Sequence, residues 1–326
     1  MTRDAIRSPA FWERYDQFRS PCTSMGITNY SFQRYRLSNP SGDIDTRSML
    51  TSYEIALLYA LARDYFRGTG VIVDLGVLNG VSTNALARGL RANTASAETR
   101  RKIFSFDLFR TEGLPGEFFE GGQDVTGCFL DTFIDNNRDY LDLISLTAGD
   151  IRSFRWERDR KIEILFNDVS KSWELNRWIQ RNVFPALVPG ESVVVQQDYI
   201  YFHSYWVAIT MEYYGDYFEP LYPVFGSSMV YRYARQLPDE AFDRDLESLP
   251  LDIKLELLDR AIAAALPSVG EVLKCAKAYC LVDNGHPDAA RSVLESVSEA
   301  SAGGDPLYDY SSIAASKKAT VGRLIR

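Results

Sequence analysis

The sequence predicts an α/β chain: a doubly wound, mostly parallel, seven-stranded sheet followed by a C-terminal α-helical appendage. Three observations predict it. Between residues 71 and 198, short apolar runs alternate with helical patterns at the spacing of βαβ units. The first run, Val71-Ile72-Val73-Asp74-Leu75, has the continuous apolar character of a buried parallel strand, and a glycine-bearing loop follows it at once. Beyond Gln236-Leu237-Pro238 the apolar residues take a helical period instead.

The elements follow in order. Residues 1–50 are aromatic and polar without a steady period, which suits a lid, an arm reaching a partner subunit of a homo-oligomer, or an irregular flank. Leu50, Leu57, Leu58, Leu61 and Tyr65 mark an amphipathic helix over 51–66, stopped by Gly68 and Gly70. Strands are expected at 71–75, 102–106, 143–146, 162–166 and 192–197, with helices at 82–90 and 173–184. Residues 218–222 and 229–233, separated by Pro223 and Gly226, read as a terminal antiparallel pair. Three apolar helical faces follow, through Ile253, Val269 and Ala290, with the turn Asn284-Gly285-His286-Pro287 before the last. This hairpin resembles one tetratricopeptide-type unit. The tail is small, polar and lastly basic, and is expected to be loosely ordered. The domain division is thus 1–50 arm, 51–236 ligand-binding domain, 237–302 helical appendage and 303–326 tail.

Composition narrows the function classes. Apolar residues make up 46% of 326, enough for a large core, and no window of eighteen uninterrupted apolar residues suggests a membrane span. The N-terminus lacks the apolar stretch of a secretory signal. A net charge of −8 gives no push toward nucleic acid. Cys22, Cys128, Cys275 and Cys280, with only two histidines, form no zinc pattern or disulfide framework; they read as core residues of a reduced, cytoplasmic protein.

The loop Asp74-Leu75-Gly76-Val77-Leu78-Asn79-Gly80-Val81-Ser82 lies between the first strand and its helix. It lacks the dinucleotide fingerprint, which would need glycines at 78 and 81, where Leu78 and Val81 stand. It resembles instead the first motif of class I S-adenosylmethionine-dependent methyltransferases, an acidic-x-Gly-x-x-x-Gly-x-Ser/Thr pattern. The resemblance covers about 51–233 and implies a Rossmann-like methyltransferase fold, with S-adenosylmethionine as cofactor. It implies that Gly76 and Gly80 pass under the methionine portion, with Asp74, Asn79 and Ser82 in that loop, so that bulk at Gly80 intrudes on the ligand. It further implies that Asp107 holds the ribose hydroxyls and that Asp150 faces the adenine. A carboxylate suits a diol because it accepts two hydrogen bonds in one plane.

Ligands of open α/β sheets lie outside the carboxyl ends of the strands. Asp168 and Asp198 stand at two such ends, and their surroundings resemble the natural-product and sugar O-methyltransferase branch. In that branch such acids can bind Mg2+ and lower the pKa of a substrate hydroxyl; here Asp198 is followed by Tyr199 where that pattern has Asn. His203, in an aromatic stretch from Tyr199 to Trp206, is either a base for the acceptor's proton or a residue bonding to the backbone. The stretch itself walls an acceptor pocket or belongs to the core. The expected activity is methyl transfer to an oxygen, less often a nitrogen, of a small-molecule acceptor, with neither nucleic acid nor membrane as partner. The rival readings are a nucleotide-binding oxidoreductase and a non-catalytic scaffold that binds a partner through its helical end.

Overall fold

The structure is a computed structural model that describes residues 33–37, 39–95, 102–110, 127–298 and 310–325. The expected arm over 1–50, like Cys22, therefore lies largely outside the described residues. Its described part is an antiparallel hairpin of β1 (Gln33–Leu37) and β2 (Ile44–Ser48).

Seven strands form the main sheet among the described residues. They are β3 (Val71–Leu75), β4 (Ile103–Asp107), β5 (Ile144–Ala148), β6 (Ile162–Asn167), β7 (Val193–Gln196), β8 (Phe218–Val224) and β9 (Ser228–Tyr233). The order is β5-β4-β3-β6-β7-β9-β8. β3 pairs in parallel with β4 and β6, and β4 with β5, whereas β8 and β9 are antiparallel. The doubly wound sheet read from the apolar runs is therefore present, and each strand lies within two residues of its expected place. The chain builds outward from β3 to β5 and then restarts on the far side of β3 with β6. That reversal is the topological switch point, where α/β sheets bind ligands.

The chain forms two compact units. The first comprises the described residues up to Val169 together with Ala186–Val194; the second comprises Ser170–Pro185 and the residues from Val195 onward. In the first, α1 (Ser52–Ala60) begins at a capping box. Glu54 N donates to Thr51 Oγ1 at 3.2 Å while Thr51 N donates to Glu54 Oε2 at 2.8 Å. Such a cap is worth about 1 kcal/mol. Glu54 is buried by this role rather than being a solvated first-turn acid. The helix continues as a π turn, Leu61–Tyr65, and ends there as the glycines required. The approach to β3 closes on Glu163, whose buried carboxylate accepts from Arg67 N, Gly68 N and Gly70 N. α2 (Val81–Arg91) follows the glycine loop and packs on α1. α3 (Leu130–Asn137), which no apolar period announced, packs beside α2.

In the second unit, α4 (Trp173–Asn182) and α5 (Tyr205–Tyr213) flank the sheet residues. α6 (Leu251–Ala264), α7 (Pro267–Asp283) and α8 (Pro287–Glu295) form the expected helical appendage, with α7 packed against both neighbours. Cys275 and Cys280 are free thiols buried in it, and burial pushes both up to about 12. The tail corrects the expectation of loose order: it contains α9 (Ser311–Leu324), which packs on α7 through Ile313, Ala314, Lys317 and Val321. Its apolar spacing, diluted by serines and lysines, concealed one buried stripe.

Candidate functional site

The loop after β3 is built from the strand upward. Asp74 ends the apolar run fully buried, and its Oδ2 accepts Ser82 Oγ at 3.0 Å and Thr83 Oγ1 at 2.6 Å. These two bonds pin the first turn of α2 to the strand. Oδ1 has no hydrogen-bond partner among the described residues. Burial outweighs the two hydroxyl bonds and pushes the carboxyl up to about 7.

Three residues of the next six have positive φ: Gly76 at 82°, Leu78 at 46° and Gly80 at 81°. A Cβ on Gly76 would lie 2.6 Å from the Asp168 carbonyl oxygen, so glycine is required where the loop crosses β6. A Cβ on Gly80 would lie 2.2 Å from Asn137 Nδ2 and 2.7 Å from Phe133. The missing side chain of Gly80 makes room for α3. Asn79 is buried, donates from Nδ2 to the Arg47 carbonyl at 3.3 Å, and has an Oδ1 without a partner among the described residues.

Asp107 closes β4 beside this loop. Its Oδ2 accepts Leu78 N at 2.9 Å and its Oδ1 accepts Phe109 N at 2.9 Å. Burial raises its pKa, and the backbone amides oppose the rise. The Val77 and Leu108 amides also lower it, so four backbone amides face a carboxylate that has about four acceptor directions. Asp150 caps the turn after β5. Arg152 chelates its carboxylate through Nε at 2.9 Å and Nη2 at 2.6 Å, pulling it down to about 2. Phe154, which the sequence reading missed, lies beside Gly149 and against Phe106, with ring centroids 6.1 Å apart. Asp74, Gly76, Asn79, Gly80, Ser82 and Asp107 are thus joined through one loop, and Asp150 lies at the end of the strand next to Asp107.

Asp168 follows β6 in the same unit, and its amide donates to Leu75 O at 2.9 Å. Asp198 and His203 belong to the second unit. Asp198 has φ 64°, is 7% exposed, and pairs through Oδ2 with Lys171 Nζ at 2.5 Å. A carboxylate oxygen already held by an ammonium is a poor magnesium ligand. Among the described residues no group of three His, Cys, Asp or Glu side chains could hold a metal ion. His203 is exposed on a short 3-10 turn and stacks on Tyr279, with ring centroids 4.8 Å apart at 31°, and on Tyr201 at 6.2 Å and 27°. The aromatic stretch is mostly core: Tyr199, Phe202, Tyr205 and Trp206 are buried. Tyr205 Oη donates to Asp283 at 2.5 Å, and Trp206 Nε1 donates to the Ser170 carbonyl at 2.6 Å.

No protein-family profile matches the chain, and no curated protein does. Solved structures do resemble it. The calicheamicin methyltransferase CalS11 is 18% identical over 70% of this chain and 94% of its own, with a TM-score of 0.43. Its apo form, described as a TDP-rhamnose 3′-O-methyltransferase, is 18% identical over 56% and 79%, at 0.41. Coclaurine N-methyltransferase bound to N-methylheliamine and SAH is 13% identical over 86% of each chain, at 0.30. Likenesses of this size carry no weight for activity, and the fold rests on the strand order of the chain itself.

Proposed function

We propose that the protein transfers a methyl group from S-adenosylmethionine to an oxygen, less often a nitrogen, of a small-molecule acceptor. One observation carries the reading: Asp107, at the carboxyl end of β4, shares the Leu78 amide with a positive-φ glycine loop beside the switch point of the sheet. The donor set fits the cofactor. The Asp107 carboxylate, held at the strand end by backbone amides, suits a ribose diol, and the buried oxygens Asp74 Oδ1 and Asn79 Oδ1, without a partner among the described residues, suit the cationic methionine end. Asp150 and Phe154, in the turn after β5, are assigned to the adenine.

When bound, the cofactor supplies an already activated sulfonium methyl. The chain's own residues then have to align the acceptor and exclude water, for which well-oriented groups contribute several kcal/mol (roughly 7–11 at best). Asp168, in the same unit as the loop, is assigned to orienting the acceptor; Asp198 and His203, in the second unit, are separate candidates for receiving a proton. Magnesium has no place in this reading, because Lys171 already supplies a positive charge at Asp198.

Calorimetric titration with S-adenosylmethionine and S-adenosylhomocysteine, beside NAD and NADP, tests the cofactor. Saturable binding of the first pair and none of the second is expected. A well-folded sample that binds neither adenosyl compound refutes the proposal.

A further inference from the structure

The first unit contains a buried amide network of which the methyl-transfer reading uses only Asn79. Its hub is Asn136, 2% exposed near the C-terminal end of α3. Asn136 Nδ2 donates to the Asn79 carbonyl at 2.7 Å and to Thr46 Oγ1 at 2.9 Å. Its own carbonyl accepts Asn84 Nδ2 at 3.0 Å and Asn39 Nδ2 at 3.3 Å, and Asn84 Nδ2 also reaches Asn39 Oδ1 at 3.0 Å. A second tie runs from Asn79 Nδ2 to the Arg47 carbonyl. Three segments far apart in the chain therefore meet on the Asn79 peptide: the β1–β2 hairpin, the glycine loop and α3.

The position of that peptide matters. It lies between Leu78 and Gly80, both at positive φ, and Leu78 N is the donor to Asp107. A non-glycine residue at φ 46° is held in a costly conformation, so something must impose it. Two bonds hold the Asn79–Gly80 peptide: Gly80 N donates to Val77 O at 2.7 Å within the turn, and Asn136 Nδ2 ties the Asn79 carbonyl from outside it. Asn136 thus adds an external constraint to the turn that directs Leu78 N at Asp107. Buried polar networks act as a unit, because each unmade bond inside a low-dielectric interior costs the full desolvation of the group.

We infer that Asn136 is a positioning residue: it locks the Asn79 peptide and couples the β1–β2 hairpin, through Thr46, to the shape of the cofactor loop. The statement about affinity rests on the methyl-transfer reading; the statement about the loop does not.

The test compares wild type with Asn136→Ala, Thr46→Val and a control, Asn93→Ala. Asn93 is a buried amide of the same unit that donates to the Ala62 and Phe66 carbonyls, away from the loop. Calorimetry gives the S-adenosylhomocysteine Kd, amide hydrogen exchange gives the protection of Leu78 N–H, and thermal melts give stability. Asn136→Ala is expected to weaken binding at least tenfold and to speed Leu78 exchange at least tenfold. Asn93→Ala is expected to lower Tm while leaving both readouts at wild-type values. Should Asn136→Ala fail to fold, Thr46→Val removes one bond with its shape kept; a threefold or greater loss in both readouts supports the coupling. Wild-type Kd and wild-type Leu78 exchange in Asn136→Ala, or in Thr46→Val where that variant decides, overturn the inference. If wild type itself binds no S-adenosylhomocysteine, the proposed function fails and Leu78 exchange alone decides the positioning role.

Discussion

Asp74 gives the site a pH signature that can be calculated. An unfolded aspartate titrates near 3.8, whereas the buried carboxyl is pushed up to about 7. The folded state therefore prefers the protonated acid, so Asp74's contribution to stability is greatest below pH 3.8 and declines as pH rises through 7. One pH unit of difference is about 1.4 kcal/mol, so the full decline is roughly 4 kcal/mol and the part between pH 5 and pH 8 about 2–3 kcal/mol. Asp74→Asn is the natural perturbation. Its amide oxygen accepts Ser82 and Thr83 as Oδ2 does, and its NH2 replaces the partnerless Oδ1, so it mimics the protonated acid without titrating. Urea unfolding of both proteins at pH 5, 6, 7 and 8 measures the difference. The asparagine variant is expected to gain on wild type steadily with pH, by about 2–3 kcal/mol across the range. A cationic ligand next to Oδ1 should reverse the trend, because it favours the ionised carboxylate. Parallel stability curves for the two proteins would falsify the account of Asp74 as a desolvated acid.

Further outcomes follow from the same geometry. Asp107→Asn keeps an acceptor for one backbone amide but loses the charge; S-adenosylhomocysteine affinity should fall by roughly 1.5–3 kcal/mol, and an unchanged Kd would place the ribose elsewhere. Gly80→Ala should cost about 1–3 kcal/mol of stability, since its Cβ would lie 2.2 Å from Asn137 Nδ2; chemical denaturation that finds no loss contradicts the packing described. Lys317 is 8% exposed with its ammonium 5.3 Å from the Tyr201 ring, and burial lowers it to about 8. A lysine with a depressed pKa costs the fold stability in full below pH 8, and the cost fades as pH rises toward 10.5, so Lys317→Met should gain up to roughly 3 kcal/mol at pH 7, falling to about 1 at pH 10, less a cation–π loss of about 0.5–2. A gain that does not shrink with pH in thermal melts contradicts the desolvation.

Much of the fold was legible because each sheet strand announces itself by a short apolar run. Ile162–Asn167, buried throughout, has no other stable home than the middle of a parallel sheet. What escaped lacked that signal. α3 reads Leu-Asp-Thr-Phe-Ile-Asp-Asn-Asn, and its buried face is carried by Phe133 and two asparagines. Hydrophobic periodicity passes over a helix whose contacts are amides. α5 escaped for the opposite reason: Tyr205 to Met211 are buried all round, so no polar face marked the helix and it read as an aromatic loop.

The same physics decides what the loop motif can and cannot establish. Gly76 is demanded by the Asp168 carbonyl, Gly80 by Asn137 and Phe133, and Asp74 by the hydroxyls of Ser82 and Thr83. Each would be required by this packing whether or not a ligand were ever bound. The spacing that made the motif visible is therefore evidence first for a strand–loop–helix junction. Discriminating power passes to atoms without a partner among the described residues: the Oδ1 atoms of Asp74 and Asn79. Asp74 and Asn79 are buried, and an unmatched buried acceptor costs about 1–3 kcal/mol. A fold that served only to join β3 to α2 would gain by replacing them with apolar groups of the same shape. Their presence beside the switch point is the cost a binding site incurs, and the Asp107→Asn and Asp74→Asn measurements ask whether a ligand recovers it.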